Sequence, residues 1–142
     1  MQRKVYGALT MLAVALIVSV PMVQAQAQSR LKADVPFAFS LQDKSMSAGN
    51  YEIKSLSDQV LELWNLDTRH GQLLMKQMSV QANKVQNPKL VFHKYGDQYF
   101  LSQIWDGRSD SGVELAVSNR EKEEQIARNG LQQPETVVVA MK

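Results

Sequence analysis

The 142-residue sequence contains no cysteine, and this absence sets the first limits on the protein. It excludes a disulfide framework, on which many small exported domains depend. It also excludes a lipoprotein, because every bacterial lipoprotein carries its lipid on an N-terminal cysteine. The folded domain must therefore be stable through its own hydrophobic core.

Catalytic and metal-binding motifs are also missing. The two histidines, His70 and His93, are isolated from one another and have no ligand-spaced carboxylate, so we expect no metal and no cofactor. No serine lies in a Gly-x-Ser-x-Gly motif. We expect His70 to be a solvated loop residue and His93 a buried imidazole with one hydrogen-bond partner. The sequence therefore predicts that the protein is not an enzyme.

The first 27 residues have the parts of a secretory signal peptide: a basic start, an apolar run at residues 8–20, and small residues before the cleavage point. The alternative is an uncleaved membrane anchor, but the run is shorter than the roughly 20 residues that cross a bilayer. We expect cleavage after Ala25 or Ala27, which leaves residues 28–142 as an exported domain, periplasmic or extracellular.

The charge of this mature domain argues against polyanionic partners. Arg3 and Lys4 account for two of the 16 basic residues, so the remaining 14 balance the 14 acidic ones. Nucleic-acid binding depends on neutralising phosphates, so we expect neither nucleic acid nor an anionic membrane as a partner. Roughly 115 residues are enough for one core and too few for two domains.

Short stretches of alternating polarity predict a mainly all-β fold. A strand over 35–41 contains a proline, which favours the edge of a sheet. A stretch at 73–78 reads as a strand, with a helix as the alternative, and a continuous β-branched run near 135–142 predicts a strand buried on both faces. With seven or eight strands in all, the chain is typical of a single antiparallel β-sandwich or a small β-barrel.

The clearest local pattern is a β-hairpin, in which a Gly-Asp turn separates aromatic and β-branched runs at 89–95 and 98–105. A two-residue turn places Tyr95 opposite Gln98 and His93 opposite Phe100. On this alternation one face holds Leu90, Phe92, Lys94, Tyr99 and Leu101, and the other holds Val91, His93, Tyr95, Phe100 and Ile104. Because both faces are largely apolar, we expect the hairpin to be central.

One short helix is predicted near 118–129. Ser118 and Glu121 have the spacing of a capping box, and Gly130 is a typical helix end. The segment has few apolar residues, so we expect a solvated helix on the surface.

Several motifs support a resemblance. They are Val-Pro-Phe-Ala-Phe at 35–39, Ser-Ala-Gly-Asn-Tyr at 47–51, Lys-Leu-Val-Phe-His-Lys-Tyr-Gly-Asp-Gln-Tyr-Phe-Leu at 89–101, Ile-Trp at 104–105 and Ser-Asn-Arg-Glu at 118–121. With them the chain resembles a family of small exported β-rich bacterial proteins of uncharacterised function. The resemblance implies a signal peptide and a compact β domain, and it brings no activity or catalytic residue.

Aromatic side chains are the best candidates for ligand contacts, since small β domains hold sugars, lipids or peptides by stacking or in apolar cavities. The candidate ligand-binding residues are Trp64, His93, Tyr95, Tyr99 and Trp105. The loop at 106–112 is the expected rim of such a site. The alternative, which the residue types favour, is that these aromatics are ordinary core and cross-strand pairs.

These observations predict an exported, non-catalytic cell-envelope domain that binds a ligand or another protein. The expected partner is an envelope protein or a small apolar or sugar ligand, and no membrane span remains after cleavage. One alternative is a structural or assembly protein that pairs through an edge strand, at 35–41 or 137–141. Another is a hydrolase with an unrecognised site, for which His93 is the residue to test.

Overall fold

The computed structural model describes residues 30–128, 130 and 133–142, so the predicted signal peptide and its cleavage site lie outside the described residues. The described residues form eleven strands and one helix. In chain order these are β1 (Leu31–Val35), β2 (Phe39–Leu41), β3 (Lys44–Met46), β4 (Gly49–Ser55), β5 (Val60–Asn65), β6 (His70–Met75), β7 (Met78–Gln81), β8 (Lys89–Tyr95), β9 (Gln98–Trp105), β10 (Ser111–Glu114), α1 (Asn119–Ala127) and β11 (Glu135–Ala140).

Two sheets face each other, which confirms the predicted β-sandwich. The first sheet has the order β1-β4-β5-β6, and the second has the order β11-β8-β9-β10-β7. Strand β2 pairs in parallel with β9 beside β10, and β3 pairs with β2. The two sheets do not close into a barrel within the described part of the chain. The strand count exceeds the predicted one because β2, β3 and β7 have only three or four residues, too few to show alternation.

The core lies between the sheets and is built from alternate residues of each strand. Its centre is an aromatic group around the fully buried Phe92. The rings of Phe37 and Phe39 meet Phe92 edge to face, with centroids 5.1 and 5.2 Å away, and Phe39 meets Tyr51 in the same way. This geometry is the favoured one for aromatic pairs.

The β8–β9 hairpin has the predicted register, with Tyr95 opposite Gln98 and His93 opposite Phe100. Farther along, β9 gains one residue. Its pairing changes from Phe92 opposite Leu101 to Leu90 opposite Ile104, which leaves Ser102 as the extra residue of a β-bulge. The prediction that Ile104 shares a face with His93 is therefore wrong, because the bulge turns Ile104 into the core.

The predicted strand over 35–41 is two strands in different sheets. β1 ends at Val35, and β2 starts at Phe39. Pro36 lies between them and has no N–H to donate to a sheet, so pairing stops there. The expected edge position is confirmed for β1, which is the outer strand of the first sheet. The 73–78 stretch contains the end of β6 and the start of β7, and no helix.

The expectation that the C-terminal strand is buried on both faces is wrong. β11 lies at the edge of the second sheet, where Val137 and Val139 pack on the core and Val138 is 54% exposed. The backbone groups of Lys142 and Lys32 exchange hydrogen bonds of 2.9 and 3.0 Å. This contact ties the residues after β11 to β1 and joins the two sheets along one side.

Helix α1 confirms the predicted helix. The Ser118 hydroxyl caps its start by accepting a hydrogen bond from the Glu121 N–H at 3.1 Å. Gly130 adopts a left-handed conformation, with φ of +64°, and its N–H donates to the Gln125 carbonyl just past the helix end.

Replacing Phe92 by alanine tests the importance of the aromatic core. Because Phe92 is fully buried, Phe92→Ala should lower the free energy of unfolding by about 3–5 kcal/mol. Urea denaturation of the mature domain measures this change. The control is Val138→Ala at the exposed position on β11, which should alter stability by less than about 0.5 kcal/mol. Equal losses for the two variants would contradict this description of the core.

Candidate functional site

A cavity of about 860 Å³ lies between the sheets at one end of the sandwich. We call it the end cavity. Its apolar lining comes from both sheets and consists of Leu31, Ile53, Leu56, Leu61, Met78, Ile104 and Val113. Its polar lining consists of Ser55, Ser57, Asp58, Lys76, Gln77, Ser79, Asp106, Arg108, Ser109 and Ser111. The cavity thus combines an apolar interior with a polar rim.

Three connections form this rim: the β4–β5 turn, the crossover from β6 to β7, and the 106–112 loop. The ammonium group of Lys76 donates to the Ser55 hydroxyl and the Ser57 carbonyl at 3.4 and 3.5 Å, which links the first two. In the loop, the Ser109 hydroxyl donates to the Ser111 carbonyl at 3.1 Å. These bonds shape the opening.

The 106–112 loop lies at the cavity, in the position expected for the rim of a binding site. Gly112 packs against the buried ring of Trp105, and a Cβ at this glycine would lie 2.7 Å from a ring carbon. The absence of a side chain therefore lets the end of the loop lie flat on the indole. Trp105 thus supports the cavity wall from behind.

The charges of the rim are balanced. Lys76 and Arg108 contribute two cations, and Asp58 and Asp106 contribute two anions. The Asp106 carboxylate accepts a hydrogen bond from the Arg108 backbone N–H at 2.9 Å, so it is partly satisfied within the loop. The opening therefore suits a neutral or dipolar group better than an ion of one sign.

The five aromatic and histidine residues predicted to bind a ligand do not converge on this cavity, and none is among its lining residues. Trp64 lies on the outer face of the first sheet, where the Lys54 ammonium is 5.2 Å from its ring centroid. Tyr99 stacks on Phe37 at 3.9 Å. Only His93 and Tyr95 lie together, and the binding role of all five stays a prediction.

His93 and Tyr95 belong to a polar cluster on the outer face of the second sheet. The Glu121 carboxylate lies at its centre, with Oε1 2.7 Å from His93 Nδ1 and 3.1 Å from the Tyr95 hydroxyl that donates to it. His93 Nε2 lies 3.1 Å from the Ser102 hydroxyl, and the Gln125 amide donates to the Tyr95 hydroxyl at 2.8 Å. We call these five residues the Glu121 cluster.

The local structure explains how the Glu121 cluster forms. His93 and Tyr95 are two apart on β8 and share a face. Ser102 is two residues after Phe100, the partner of His93 on β9, so its side chain lies on the same face. Glu121 and Gln125 are four apart on α1 and therefore lie on one side of the helix. The cluster joins two strands to the helix.

Two expectations from the sequence are wrong at this cluster. The helix is not wholly solvated, because Glu121 is only 4% exposed. The His93 side chain is 29% exposed and has two side-chain partners, where a buried imidazole with one partner was expected. In the expected capping box, the bond from the Glu121 N–H to the Ser118 hydroxyl forms. The Glu121 carboxylate does not complete the box, because it binds His93 and Tyr95. Periodicity cannot reveal such a cluster, because its members come from three elements and no local pattern shows that α1 packs against this face of the sheet.

The surroundings of Tyr95 raise the pKa of its phenol. Burial is the largest cause, since it disfavours the phenolate, and the nearby Glu121 carboxylate acts in the same direction. The Gln125 amide opposes both by donating a hydrogen bond to the phenol oxygen. The neutral phenol is therefore the form that the folded cluster favours.

The described residues contain no group of three or more His, Asp or Glu side chains arranged to hold a metal ion. No helix in this part of the chain has the length and apolar character needed to cross a membrane.

Alkaline unfolding tests the environment of Tyr95. The unfolded phenol ionises near pH 10, and the folded one ionises higher. The stabilisation that comes from the neutral Tyr95 phenol is therefore complete below about pH 10. It is lost as the pH rises towards the raised pKa of Tyr95 in the folded protein. Tyr95→Phe should weaken this alkaline loss and should cost about 1 kcal/mol at pH 7 through the lost hydrogen bonds. Urea unfolding at pH 7, 9, 10 and 11 measures both effects, and an unchanged alkaline slope in the variant would contradict the assignment.

Comparison with known proteins adds no family or function to this geometry. No protein-family model matches the chain, and neither a curated protein nor a solved structure matches it. The resemblance to small exported β-rich proteins stays a prediction, and the interpretation of the site depends on the residues described above.

Proposed function

We propose that this protein is an exported cell-envelope domain that binds a small amphipathic molecule in the end cavity. The observation that carries the proposal is the cavity itself, because about 860 Å³ lies within the 300–1,000 Å³ typical of small-molecule sites. The cavity is open to solvent on one side, so a ligand can reach the apolar side chains between the sheets.

The lining indicates the chemistry of the ligand. Apolar side chains of both sheets, including Ile53, Leu61 and Ile104, favour a hydrocarbon or ring system in the interior. The balanced charges of Lys76, Arg108, Asp58 and Asp106 favour an uncharged or zwitterionic polar end at the rim. An elongated amphiphile with such a head group satisfies both conditions.

Features of the sequence support the cellular part of the proposal. A basic start, an apolar run at residues 8–20 and small residues near Ala25 are typical of export. Amphiphiles with zwitterionic or sugar head groups occur at cell envelopes, where an exported domain would meet them.

Adding a charge to the cavity lining tests the proposal. The probe is N-phenylnaphthylamine, an uncharged fluorophore whose fluorescence intensity increases in apolar surroundings. Met78 is half exposed, so Met78→Glu should leave the fold intact and weaken probe binding about tenfold or more, because a bound apolar group would desolvate the carboxylate. Val85→Glu is the control, since Val85 is similarly exposed in a loop away from the cavity.

Competition then defines the head group. Dodecylphosphocholine below its micelle concentration should displace the probe more effectively than dodecyl sulfate, which carries a net negative charge. No probe binding by the wild-type domain, or equal binding by Met78→Glu and wild type, would refute the ligand proposal.

A second candidate function is assembly through an edge strand, and β6 is the strand that favours it. β6 is the outer strand of the first sheet and has no charged residue, whereas natural edge strands usually carry charges that prevent pairing. Leu73 on this strand is 56% exposed. The strands expected from the sequence fit less well, because β1 is bonded through Lys32 to Lys142 beside β11.

Self-association through β6 predicts dimers at high protein concentration. Sedimentation velocity should show a monomer–dimer equilibrium that Leu73→Lys shifts at least tenfold towards monomer, since paired β6 strands would bring two charges together. Val138→Lys, on the exposed face of β11, is the control and should leave the equilibrium unchanged. A strictly monomeric wild type would eliminate assembly between copies of this chain.

A further inference from the structure

We propose that Ser102, His93 and Glu121 form a hydrolytic site for small esters on the outer face of the second sheet. This proposal is independent of the end cavity and departs from the expectation of a non-catalytic domain. Ser102 and His93 are the catalytic residues, and Glu121 and Tyr95 are positioning residues.

The three side chains have the order and spacing of a nucleophile, a base and an orienting acid. The Ser102 hydroxyl lies 3.1 Å from His93 Nε2, and the opposite nitrogen, Nδ1, lies 2.7 Å from Glu121 Oε1. Such an arrangement is recognised by its geometry and not by the sequence around the serine. The missing Gly-x-Ser-x-Gly motif is therefore no objection.

The supporting contacts hold the imidazole in one orientation. Glu121 is buried, and the Tyr95 hydroxyl donates to the same oxygen that faces His93. The Ser118 cap and the Gln125 contact fix the helix that carries this carboxylate. A carboxylate at Nδ1 keeps the proton on that nitrogen, so Nε2 is free to accept the proton of Ser102.

The position of Ser102 also favours a chemical role. It is the extra residue of the β9 bulge, and bulges are over-represented next to active sites because they re-aim a side chain. A bond that only fixed the helix would need Glu121, His93 and Tyr95, and would not require a hydroxyl on the far side of the imidazole. The Ser102 hydroxyl lies there.

Exposure limits the substrate. Ser102 is 5% exposed, and the side chain of His93 is 29% exposed, so the pair is reached from His93. Thr136 and Val138 of β11 lie beside this opening, because they pair with His93 and Val91, and both are exposed. A small ester with a short acyl group fits this shallow, partly apolar surface.

The reaction proceeds by acyl transfer. Ser102 Oγ attacks the ester carbonyl carbon while His93 Nε2 takes the hydroxyl proton. The C–O bond to the alcohol then breaks, and the imidazolium returns that proton to the leaving alkoxide. Water attacks the acyl–Ser102 ester with His93 again as the base, and releases a carboxylic acid and the free serine.

A fluorophosphonate probe tests the nucleophile, because it phosphonylates activated serines and loses fluoride. Intact-mass and peptide measurements on the mature domain should show one adduct, on Ser102. Ser102→Ala should abolish the adduct, while Ser47→Ala, the control at an exposed serine between β3 and β4 that lines neither site, should leave it unchanged. His93→Ala should slow labelling by about a hundredfold or more.

Turnover of p-nitrophenyl acetate separates catalysis from a structural role. Glu121→Gln keeps the shape of the side chain and should lower kcat with KM little changed. A loss of folding would instead abolish substrate binding and turnover together, and circular dichroism would show it. Ser102→Ala deletes one oxygen and provides the background rate. Failure of the folded wild type to label at millimolar probe, or equal labelling of Ser102→Ala, overturns the proposal. Neither result affects the end cavity, whose ligand is measured separately.

Discussion

The pairing of β8 with β9 determines most of what surrounds it. Near the turn, its register buries Phe92 and Leu101 between the sheets and places His93 and Tyr95 on the outer face of the second sheet. After the bulge at Ser102 the alternation reverses, and Ile104 returns to the core, where it lines the end cavity. Without the extra residue, Ile104 would face outwards and Gln103 would lie in an apolar core, at the desolvation cost of an unpaired amide.

Burial of Glu121 is the second condition on which the outer face depends. A buried carboxylate is costly unless hydrogen bonds compensate for the lost water. Here the His93 imidazole and the Tyr95 hydroxyl bind the carboxylate and so connect its helix to the sheet. The polar contacts of Glu121 and Gln125, and not an apolar stripe, attach α1 to the sheet, which explains why Ile126 can remain exposed.

Local patterns predicted the elements well where the signal was local. The hairpin around Gly96, the helix between Ser118 and Gly130 and the sandwich class all agree with the structure. The sequence-based predictions were wrong where the position of an element depends on contacts with residues far away in the sequence. The β-branched run of β11 is equally compatible with a central strand, and only its place beside β8 makes it an edge. The same limit applied to the sites, since the end cavity and the Glu121 cluster each combine separate segments whose residues are individually ordinary.

The bonds between Lys32 and Lys142 join residues separated by on the order of a hundred positions, and such long-range pairing makes folding slow. β1 cannot complete this seam until the whole of β11 is available. An incomplete chain therefore lacks the contact that joins the two sheets and stays open along that side.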